Sequence, residues 1–291
     1  MNGRQTIRSR ESVPHGKRGL LSLGFELNAE GRSIMRHWER RAPLIVQQEL
    51  YFDEQMPDLP CVYILSAGGP MVYGDRYEQH FSVGRGAMAY ISTGAATKIA
   101  EMELGSARQE SYFSLEEDGY LEYMPEVVIP CRGSRFHNLT HITIAESATL
   151  VLAETYLSGR KYHGEVFEFE ELRLSTRAER PDGGVLFSER MTIEPRKQRP
   201  QVLGVMGEND IMASVVVLTP KHHAERIYEL TEAKFQPNMM MGVNRLPNNS
   251  GLQLKVLGQS SGDVRRAVRE FCSMARLCVK GKPLAEEFRW R

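Results

Sequence analysis

The side chains with the clearest chemical potential in this sequence are carboxylates that stand among apolar residues. Asp75 follows Gly74, Glu122 lies within the segment YLEYM, and Glu154 lies within TLVLAETYL. A carboxylate that faces a protein interior is costly unless water, a cation or a metal ion compensates its charge, so these acids indicate a hydrated interior. Asp75 could instead cap the turn after Gly74. Glu122 and Glu154 could instead face outward or pair with an arginine such as Arg160.

Histidine side chains, which bind transition metals tightly, form no recognisable ligand motif. His137 and His141 lie in a segment that predicts a strand, where they share a face but stand far apart. His222 and His223 are adjacent at the start of a predicted helix and point in different directions. Neither pair has the spacing of a tight metal site.

Motifs of nucleotide-binding proteins and hydrolases do not occur in the sequence. The segment GRG (84–86) has no third glycine or helix behind it, and GAATK (94–98) lacks the GxxxxGK[ST] spacing of a phosphate loop. There is also no GxSxG turn and no HExxH helix. Paired acids on a β-scaffold could cleave glycosides, but Glu168, Glu170 and Glu171 fit the solvated face of a strand.

The composition is that of an ordinary folded protein. Of the 291 residues, 41% are hydrophobic and 25% are charged, and 37 Lys and Arg balance 37 Asp and Glu. This balance provides no overall field that would collect nucleic acid or an anionic membrane. The basic N-terminus has no apolar segment behind it, and no apolar run approaches the roughly 20 residues of a membrane helix.

The cysteines indicate a reducing compartment. They stand at positions 61, 131, 272 and 278, with no C-x-x-C spacing, and four in a chain of this length are too few for a disulfide scaffold. We therefore expect reduced and mostly buried thiols in a soluble cytoplasmic protein.

Residues 19 to about 219 form one predicted strand after another. Apolar runs separated by turn residues predict strands at 61–66, 87–93, 110–115, 120–124, 141–144, 149–157, 166–174, 185–193 and 214–219, with a later strand at 251–258. The segment EEDG (116–119) between two of these runs predicts a hairpin turn.

A weak repeat runs through these strands. A small residue after a polar turn begins a strand at Gly86, Gly119, Ala148 and Gly184, which is a spacing of about 30 residues. A period of this length made only of strands indicates stacked β-coils, or hairpins laid side by side, that share one core.

After residue 220 the apolar period changes to that of helices. Residues 220–235 and 262–280 each carry an apolar face, and residues with capping chemistry flank the second segment. Residues 1–18 lack apolar periodicity and predict a flexible tail. The sequence thus predicts a mainly β fold, an elongated stack of antiparallel or β-helix-like sheets with two helices in the C-terminal half, as one domain over residues 19–291.

Six short segments occur in a characteristic order from residue 42 onward. They are APLIVQQELY, YILSAGGPMVYGDR, TGAATK, GYLEYMPEVVIP, LAETYLSGRKYHGEVFEF and LFSERMTIEP. In this order they resemble the UreD (UreH) family of urease accessory proteins. The resemblance covers residues 19–200, and the last helix followed by GKP and FRW is similar to the family's C-terminus, whereas 200–260 matches poorly. Pro70 and Tyr73 stand where the family has further glycines, so the loop before Asp75 departs from the family pattern.

This resemblance implies a scaffold that is not an enzyme. Members of the family bind apo-urease and the partner UreF, and through UreF the GTPase UreG, which carries nickel. A passage through the protein leads nickel toward the urease active site, so Ni²⁺ is a transient cargo and no cofactor is tightly bound. The implied fold is a β-rich stack of strands with two helices, and neither nucleic acid nor a membrane is an expected partner.

Four residues at family-matching positions are candidates for weak, transient nickel contacts: Asp75, Thr97, Glu122 and Glu154. Conduction requires sites that an ion enters readily and also leaves. Clusters of imidazole or thiolate would hold nickel too tightly, whereas isolated carboxylates, hydroxyls and water release it. Two further pairs, Arg160 with Glu165 and Arg190 with Glu189, are expected to be structural ion pairs.

Two other functions stay open at the level of the sequence. A carbohydrate-active β-solenoid enzyme would need two carboxyls beside an exposed groove with stacking aromatics. A purely structural interaction module would have a dry, sealed core. A polar passage through the interior would favour the nickel scaffold over both.

Overall fold

The structure is a computed structural model that describes residues 16–285, and this part of the chain forms 18 β-strands and two α-helices. The strands, in chain order, are β1 (Arg18–Leu27), β2 (Ser33–Arg41), β3 (Leu44–Ile45), β4 (Cys61–Ser66), β5 (Arg76–Val83), β6 (Met88–Thr93), β7 (Thr97–Ile99), β8 (Ala107–Leu115), β9 (Tyr120–Tyr123), β10 (Val128–Pro130), β11 (Arg135–Ile144), β12 (Thr149–Leu157), β13 (Glu171–Glu179), β14 (Val185–Ile193), β15 (Ile211–Leu218), β16 (Lys234–Gln236), β17 (Met239–Arg245) and β18 (Gly251–Gly258). The helices are α1 (Lys221–Leu230) and α2 (Ser261–Lys280), and short 3-10 turns occur at Lys161–His163 and Pro247–Asn249. The predicted fold class is confirmed. Most of the predicted tail at residues 1–18 and the motif FRW lie outside the described residues.

The strands form two sheets that face each other. The seven-stranded sheet has the order β14-β13-β11-β8-β5-β1-β2. The eleven-stranded sheet has the order β16-β17-β18-β15-β12-β9-β6-β4-β3, with β7 and β10 paired beside β12. Neighbouring strands from β4 to β13 run parallel, because successive turns of the chain alternate between the two sheets.

The predicted repeat corresponds to stacked β-coils in its first three units. The turns that lead from β5 to β6, from β8 to β9 and from β11 to β12 lie on top of one another. Each turn donates a backbone hydrogen bond to the end of the preceding coil: Gly84 to Phe25, Glu116 to Val83 and Ala145 to Leu115, over 2.9, 3.0 and 2.9 Å. The fourth unit, at Gly184, differs, because β13 and β14 form an antiparallel pair within one sheet.

The predicted hairpin at 116–119 was wrong. The flanking strands β8 and β9 belong to different sheets, so the turn is an arch between sheets and not a connection between paired strands. Asp118 adopts a positive φ of 59° there, as a hairpin turn would also require. A hairpin and an arch between sheets therefore share the same alternating strands and the same turn residues. They differ only in whether the two flanking strands pair with each other.

The two sheets differ in how many faces they bury. The seven-stranded sheet packs one face into the core between the sheets, and its strands alternate, as in β5, where Phe81 is buried and Ser82 is exposed. The eleven-stranded sheet is covered on both faces. In β12, Leu152 faces the inter-sheet core, whereas Val151 and Ala153 pack in a second core with α1 and α2. Burial on both faces explains the continuous apolar run of β12.

Helix α2 matches the predicted helix, and its ends have clear causes. The Ser260 side chain accepts a hydrogen bond from the Asp263 backbone N–H over 3.3 Å, which caps the start. Gly281 has a φ of 70° and ends the helix. Neither helix within residues 16–285 has the length and apolar content needed to cross a membrane.

Two predicted element boundaries were wrong. The first helix ends at Leu230 and not at residue 235, because Lys234–Gln236 pairs with β17 as strand β16. The strand predicted at 166–174 lies at Glu171–Glu179, because Phe167 has a left-handed φ of 54° that interrupts an extended chain. A short hairpin ends the helix in the first case, and a left-handed turn delays the strand in the second.

Candidate functional site

A row of polar side chains crosses the interior on the inner face of the seven-stranded sheet. Its members are register neighbours on β5, β8, β11, β13 and β14, and we call this row the polar seam: Gln79, Ser111, Thr140, Thr176 and Glu189. Gln79, Ser111 and Thr140 are buried, and the other two are half-buried. Other inward positions of these strands hold core residues such as Phe81 and Phe113, and Asn138 of β11 is a further polar one. The seam therefore runs across the strands from the middle of the protein toward one end.

The eleven-stranded sheet carries a matching row opposite the outer end of the seam. Glu154, Ser214 and Lys255 are register neighbours on β12, β15 and β18. Lys255 Nζ lies 2.8 Å from Glu189 Oε1, and Gln253 Nε2 donates to Glu189 Oε2 over 2.7 Å. These bonds join the two sheets. The predicted ion pair between Glu189 and Arg190 was wrong. Adjacent residues of a strand face opposite sides of the sheet, so Arg190 points away from Glu189.

Glu154 lies where the two sheets approach each other. Asn138 Nδ2 donates to Glu154 Oε1 over 2.7 Å, and the Tyr156 hydroxyl donates to the same oxygen over 3.2 Å. Burial raises the pKa of Glu154, while the bonds from Asn138 and Tyr156 oppose that shift. A carboxylate in this position attracts cations into a site that otherwise offers neutral oxygen and nitrogen atoms.

A cavity of about 470 Å³ opens beside this carboxylate. Its polar lining includes Glu154, Thr176, Glu189, Ser214, Lys255 and Arg199, and most of its other lining residues are apolar, such as Met191 and Met212. Polar groups in a space of this size favour occupation by water. Within residues 16–285, no three His, Cys, Asp or Glu side chains come together as a tight metal site. The chemistry available is thus weak coordination by scattered oxygen atoms.

The inner end of the seam is closed by aromatic rings. The Tyr123 hydroxyl donates to Gln79 Oε1 over 3.3 Å. Phe81 and Phe113 pack against the Tyr123 ring, with centroids 5.4 and 5.1 Å away. Burial raises the pKa of Tyr123, so this hydroxyl is a neutral group.

Asp75 is fully buried and stabilises the loop before β5. Its Oδ1 accepts from the Lys17 backbone N–H over 2.7 Å, and its Oδ2 accepts from the Val72 backbone N–H over 2.9 Å. Lys17 Nζ lies 3.0 Å from Oδ2. These contacts agree with the alternative in which Asp75 caps the turn after Gly74. A contact between Asp75 and passing nickel stays a prediction.

Glu122 lies on the opposite face of the eleven-stranded sheet from Glu154. Arg276 of α2 donates from Nε to Glu122 Oε1 over 2.7 Å and from Nη2 to Oε2, while the Tyr120 hydroxyl also donates to Oε1 over 2.5 Å. Arg276 Nη1 also binds the buried Asp53 carboxylate. Burial alone would lower the pKa of Arg276, but the bonds to Glu122 and Asp53 raise it. The alternative that Glu122 pairs with an arginine therefore agrees with the structure, but the partner is Arg276 and not Arg160.

The four predicted nickel residues are not gathered into one site. Thr97 is half-buried at the start of β7, where its backbone N–H donates to Val127 over 2.9 Å. Within residues 16–285, no hydrogen bond or ion pair joins any two of these four side chains: Asp75, Thr97, Glu122 and Glu154. Only Glu154 lines the cavity between the sheets.

Arg160 and Glu165 form the structural clip that the sequence predicts. Arg160 Nε donates to Glu165 Oε2 over 2.9 Å, and the Arg132 backbone N–H donates to the same oxygen over 3.2 Å. The bonds from Arg160 lower the pKa of Glu165 to about 2. This clip closes the loop between β12 and β13.

We expect the Glu165→Gln variant to lose part of the protein's acid sensitivity. Because the pKa of Glu165 falls from 4.5 to about 2 on folding, its ionised form stabilises the fold above pH 4.5. That contribution is lost as the pH falls from 4.5 toward 2. The wild-type melting temperature should therefore fall more steeply across this window than that of Glu165→Gln. Equal slopes, or the same flattening in a variant of the exposed Glu146, would contradict the assignment.

The sequence analysis did not identify Arg276 or the polar seam, although the sequence contains an indication of each. Arg276 stands four residues after Cys272, inside the apolar stripe of α2, and a charge in such a stripe indicates a buried ion pair. Gln79, Ser111 and Thr140 each interrupt the apolar positions of an alternating strand. Their alignment into a seam depends on strand register, which the sequence alone does not show.

Comparison with known proteins places the chain in a family. The family model described as UreD urease accessory protein matches residues 17–291. The chain is 44% identical over 281 residues to urease accessory protein UreD 3 of Methylorubrum populi, which covers 95% of this chain and 90% of the relative. It is 41% identical to UreD 2 of Brucella suis over 94% of this chain and 92% of the relative, and 41% identical to UreD of Yersinia enterocolitica over 95% and 88%. The chain therefore belongs to the UreD family of urease accessory proteins.

Proposed function

We propose that this protein is a non-catalytic scaffold of urease maturation that relays nickel to the urease active site. It binds apo-urease and UreF, and through UreF the GTPase UreG. Nickel is its transient cargo, and no cofactor is tightly bound. It acts in the cytoplasm, where its four free cysteines, three of them buried, suit a reducing environment.

The polar seam and the cavity beside Glu154 carry this proposal. A divalent ion leaves water only if other oxygen atoms replace its hydration shell, and the seam offers amide, hydroxyl and carboxylate oxygens at successive strands. Strands of one sheet lie about 4.8 Å apart, so each step along the seam is short. The ion meets Glu189 and Glu154 at the cavity end, whereas Lys255 offsets part of their charge and prevents tight binding.

The earlier candidates have different places in this proposal. Glu154 is the central passage residue, since it lines the cavity. Asp75 and Thr97 remain candidates for contacts with nickel elsewhere along the route. Glu122 belongs to an ion pair on the outer face of the sheet, so its contribution would be to hold α2.

The lining of the cavity supports a relay over carbohydrate chemistry. A glycosidase groove needs aromatic rings that stack on sugars, with two carboxyls across the scissile bond. Of the described residues that line this cavity, Tyr156 is the only aromatic one, and its hydroxyl is engaged by Glu154 and Asn138.

Co-expression with the partners tests the proposed function. A tagged form of this chain is expected to retain apo-urease and UreF in a pull-down, and UreG only when UreF is present. Urease from these cells should contain nickel, whereas urease from cells without this chain should contain far less at limiting nickel. A variant of the fully exposed Tyr162 serves as a control for surface changes. Failure to retain either partner, with the chain folded, would contradict the proposal.

A further inference from the structure

Asn138 is a buried side chain whose hydrogen bonds are only partly made. It lies on β11, is 4% exposed, and faces the gap between the sheets. Its Nδ2 donates to Glu154 Oε1 and to the Tyr156 hydroxyl, each over 2.7 Å. Its Oδ1 is buried and has no hydrogen-bond partner. A buried acceptor without a partner costs about 1–3 kcal/mol, so a ligand that reached this oxygen would relieve that cost.

The orientation of this amide is determined by its neighbours. The group that contacts Glu154 is the NH₂ of Asn138 and not its oxygen, an arrangement that suits an ionised carboxylate because that group only accepts hydrogen bonds. With both N–H groups engaged by Glu154 and Tyr156, the oxygen is held on the other side of the planar amide. The position of this oxygen is thus fixed by the bonds to Glu154 and Tyr156, and the first of them also orients the Glu154 carboxylate.

We propose that Asn138 is a positioning residue of the passage, which holds Glu154 in place and presents its free Oδ1 as a neutral ligand to the passing divalent ion. This inference rests on the proposed function. Amide oxygens coordinate divalent cations, but without net charge they add little binding energy. One carboxylate with one neutral oxygen therefore suits an ion that must arrive and also leave, as conduction demands.

A second asparagine of the same kind serves as a matched control. Asn209 is also 4% exposed and also has a buried Oδ1 without a partner. Its Nδ2, however, donates to the Met206 backbone carbonyl over 3.1 Å and does not contact Glu154. Replacement of either asparagine by leucine removes the same polar atoms. A difference in nickel binding between the two variants would therefore come from the position of Asn138 beside Glu154.

Crystals of the full chain soaked in a nickel salt test the proposal by anomalous diffraction. We expect a nickel peak within bonding distance of Asn138 Oδ1 in the wild type and in Asn209→Leu. In Asn138→Leu the peak should fall at least several-fold. An equal peak in Asn138→Leu would overturn the role of Asn138 and leave the passage itself intact. A wild-type crystal with no nickel between the sheets would overturn the proposed passage, and this inference with it.

The Asn138→Asp variant keeps the test decisive if the leucine variant does not fold. Aspartate retains an oxygen ligand, loses both N–H donors and adds a charge, so we expect the nickel peak to persist or grow. Release should slow, because a second carboxylate binds the ion more tightly. Urease matured with this variant should then contain several-fold less nickel, although the ion enters the protein. Loss of the peak in Asn138→Asp would overturn the proposal.

Discussion

Urease matured with the Glu154→Gln variant is expected to contain about ten-fold less nickel than urease matured with the wild type when nickel is limiting, which is the effect of losing ~1.4 kcal/mol of ion stabilisation. Glutamine keeps the size of the side chain and an oxygen for Asn138 to bind. It removes the charge that compensates a divalent ion between the sheets. The measurement is nickel content per urease, with activity, after co-expression at limiting nickel.

The control for this prediction is Glu146→Gln, the same chemical change at an exposed site in the turn before β12. Both variants should fold and retain UreF and apo-urease in pull-downs, because glutamine keeps the size of each side chain and Glu154 lies between the two sheets. Equal nickel contents with Glu154→Gln and Glu146→Gln would exclude Glu154 from the passage.

The largest effect on stability is expected from Arg276→Met. This change leaves Glu122 and Asp53 as two buried carboxylates without their cation, and the loss of one partner of a buried ion pair costs about 3–5 kcal/mol. For a chain of this size, the melting temperature should fall by roughly 10 °C. Arg276 is 2% exposed, so solvent offers little compensation.

A second arginine on the same helix is the matched control. Arg266 pairs with Asp263 at the surface, where its side chain is 69% exposed, and an exposed pair contributes about 0–1 kcal/mol. Thermal unfolding of Arg276→Met and Arg266→Met should therefore differ clearly, and similar melting temperatures would contradict the buried network. Apolar replacement of Glu122 and Asp53 together with Arg276→Met should restore stability, since all the buried charges are then removed.

The same network distinguishes the two roles of Glu122. As an anchor of α2, Glu122→Gln should lower the melting temperature, and the protein that remains folded should still load nickel normally. If Glu122 were instead a passage residue, each folded molecule of Glu122→Gln would load less nickel than a folded wild-type molecule. Nickel content per folded molecule separates these outcomes.

Local patterns predicted the elements well where packing and pattern agree. The strand TLVLAETYL and the helix from residue 261 were recognised because an apolar run and an apolar stripe each correspond to burial. The turn at 116–119 was assigned to a hairpin because its residues fit an arch between sheets equally well. The end of α1 was placed too late because Thr231 is already extended, with φ −98° and ψ 115°, and Phe235 pairs with Met240 in a short hairpin that the helical pattern does not indicate.

The candidate site could be predicted only in part, for a geometric reason. Glu122 and Glu154 look alike in the sequence, since each stands in an apolar strand. Strand pairing turns Glu154 toward the other sheet and Glu122 toward α2, and the cation that neutralises Glu122 lies 154 residues away. The sequence can indicate that a buried carboxylate needs compensation, but it does not show whether an arginine or a passing ion provides it.

Obstruction of the cavity between the sheets tests the nickel passage most directly. Thr176 lines this cavity, and Thr155 lines a separate cavity of about 370 Å³ on the outer face of the eleven-stranded sheet. Both threonines are half-buried, so Thr176→Trp and Thr155→Trp are comparable changes. We predict that urease matured with Thr176→Trp lacks most of its nickel while Thr155→Trp supports normal loading, with partner retention intact in both. Full nickel loading by a folded Thr176→Trp protein would contradict a route between the two sheets.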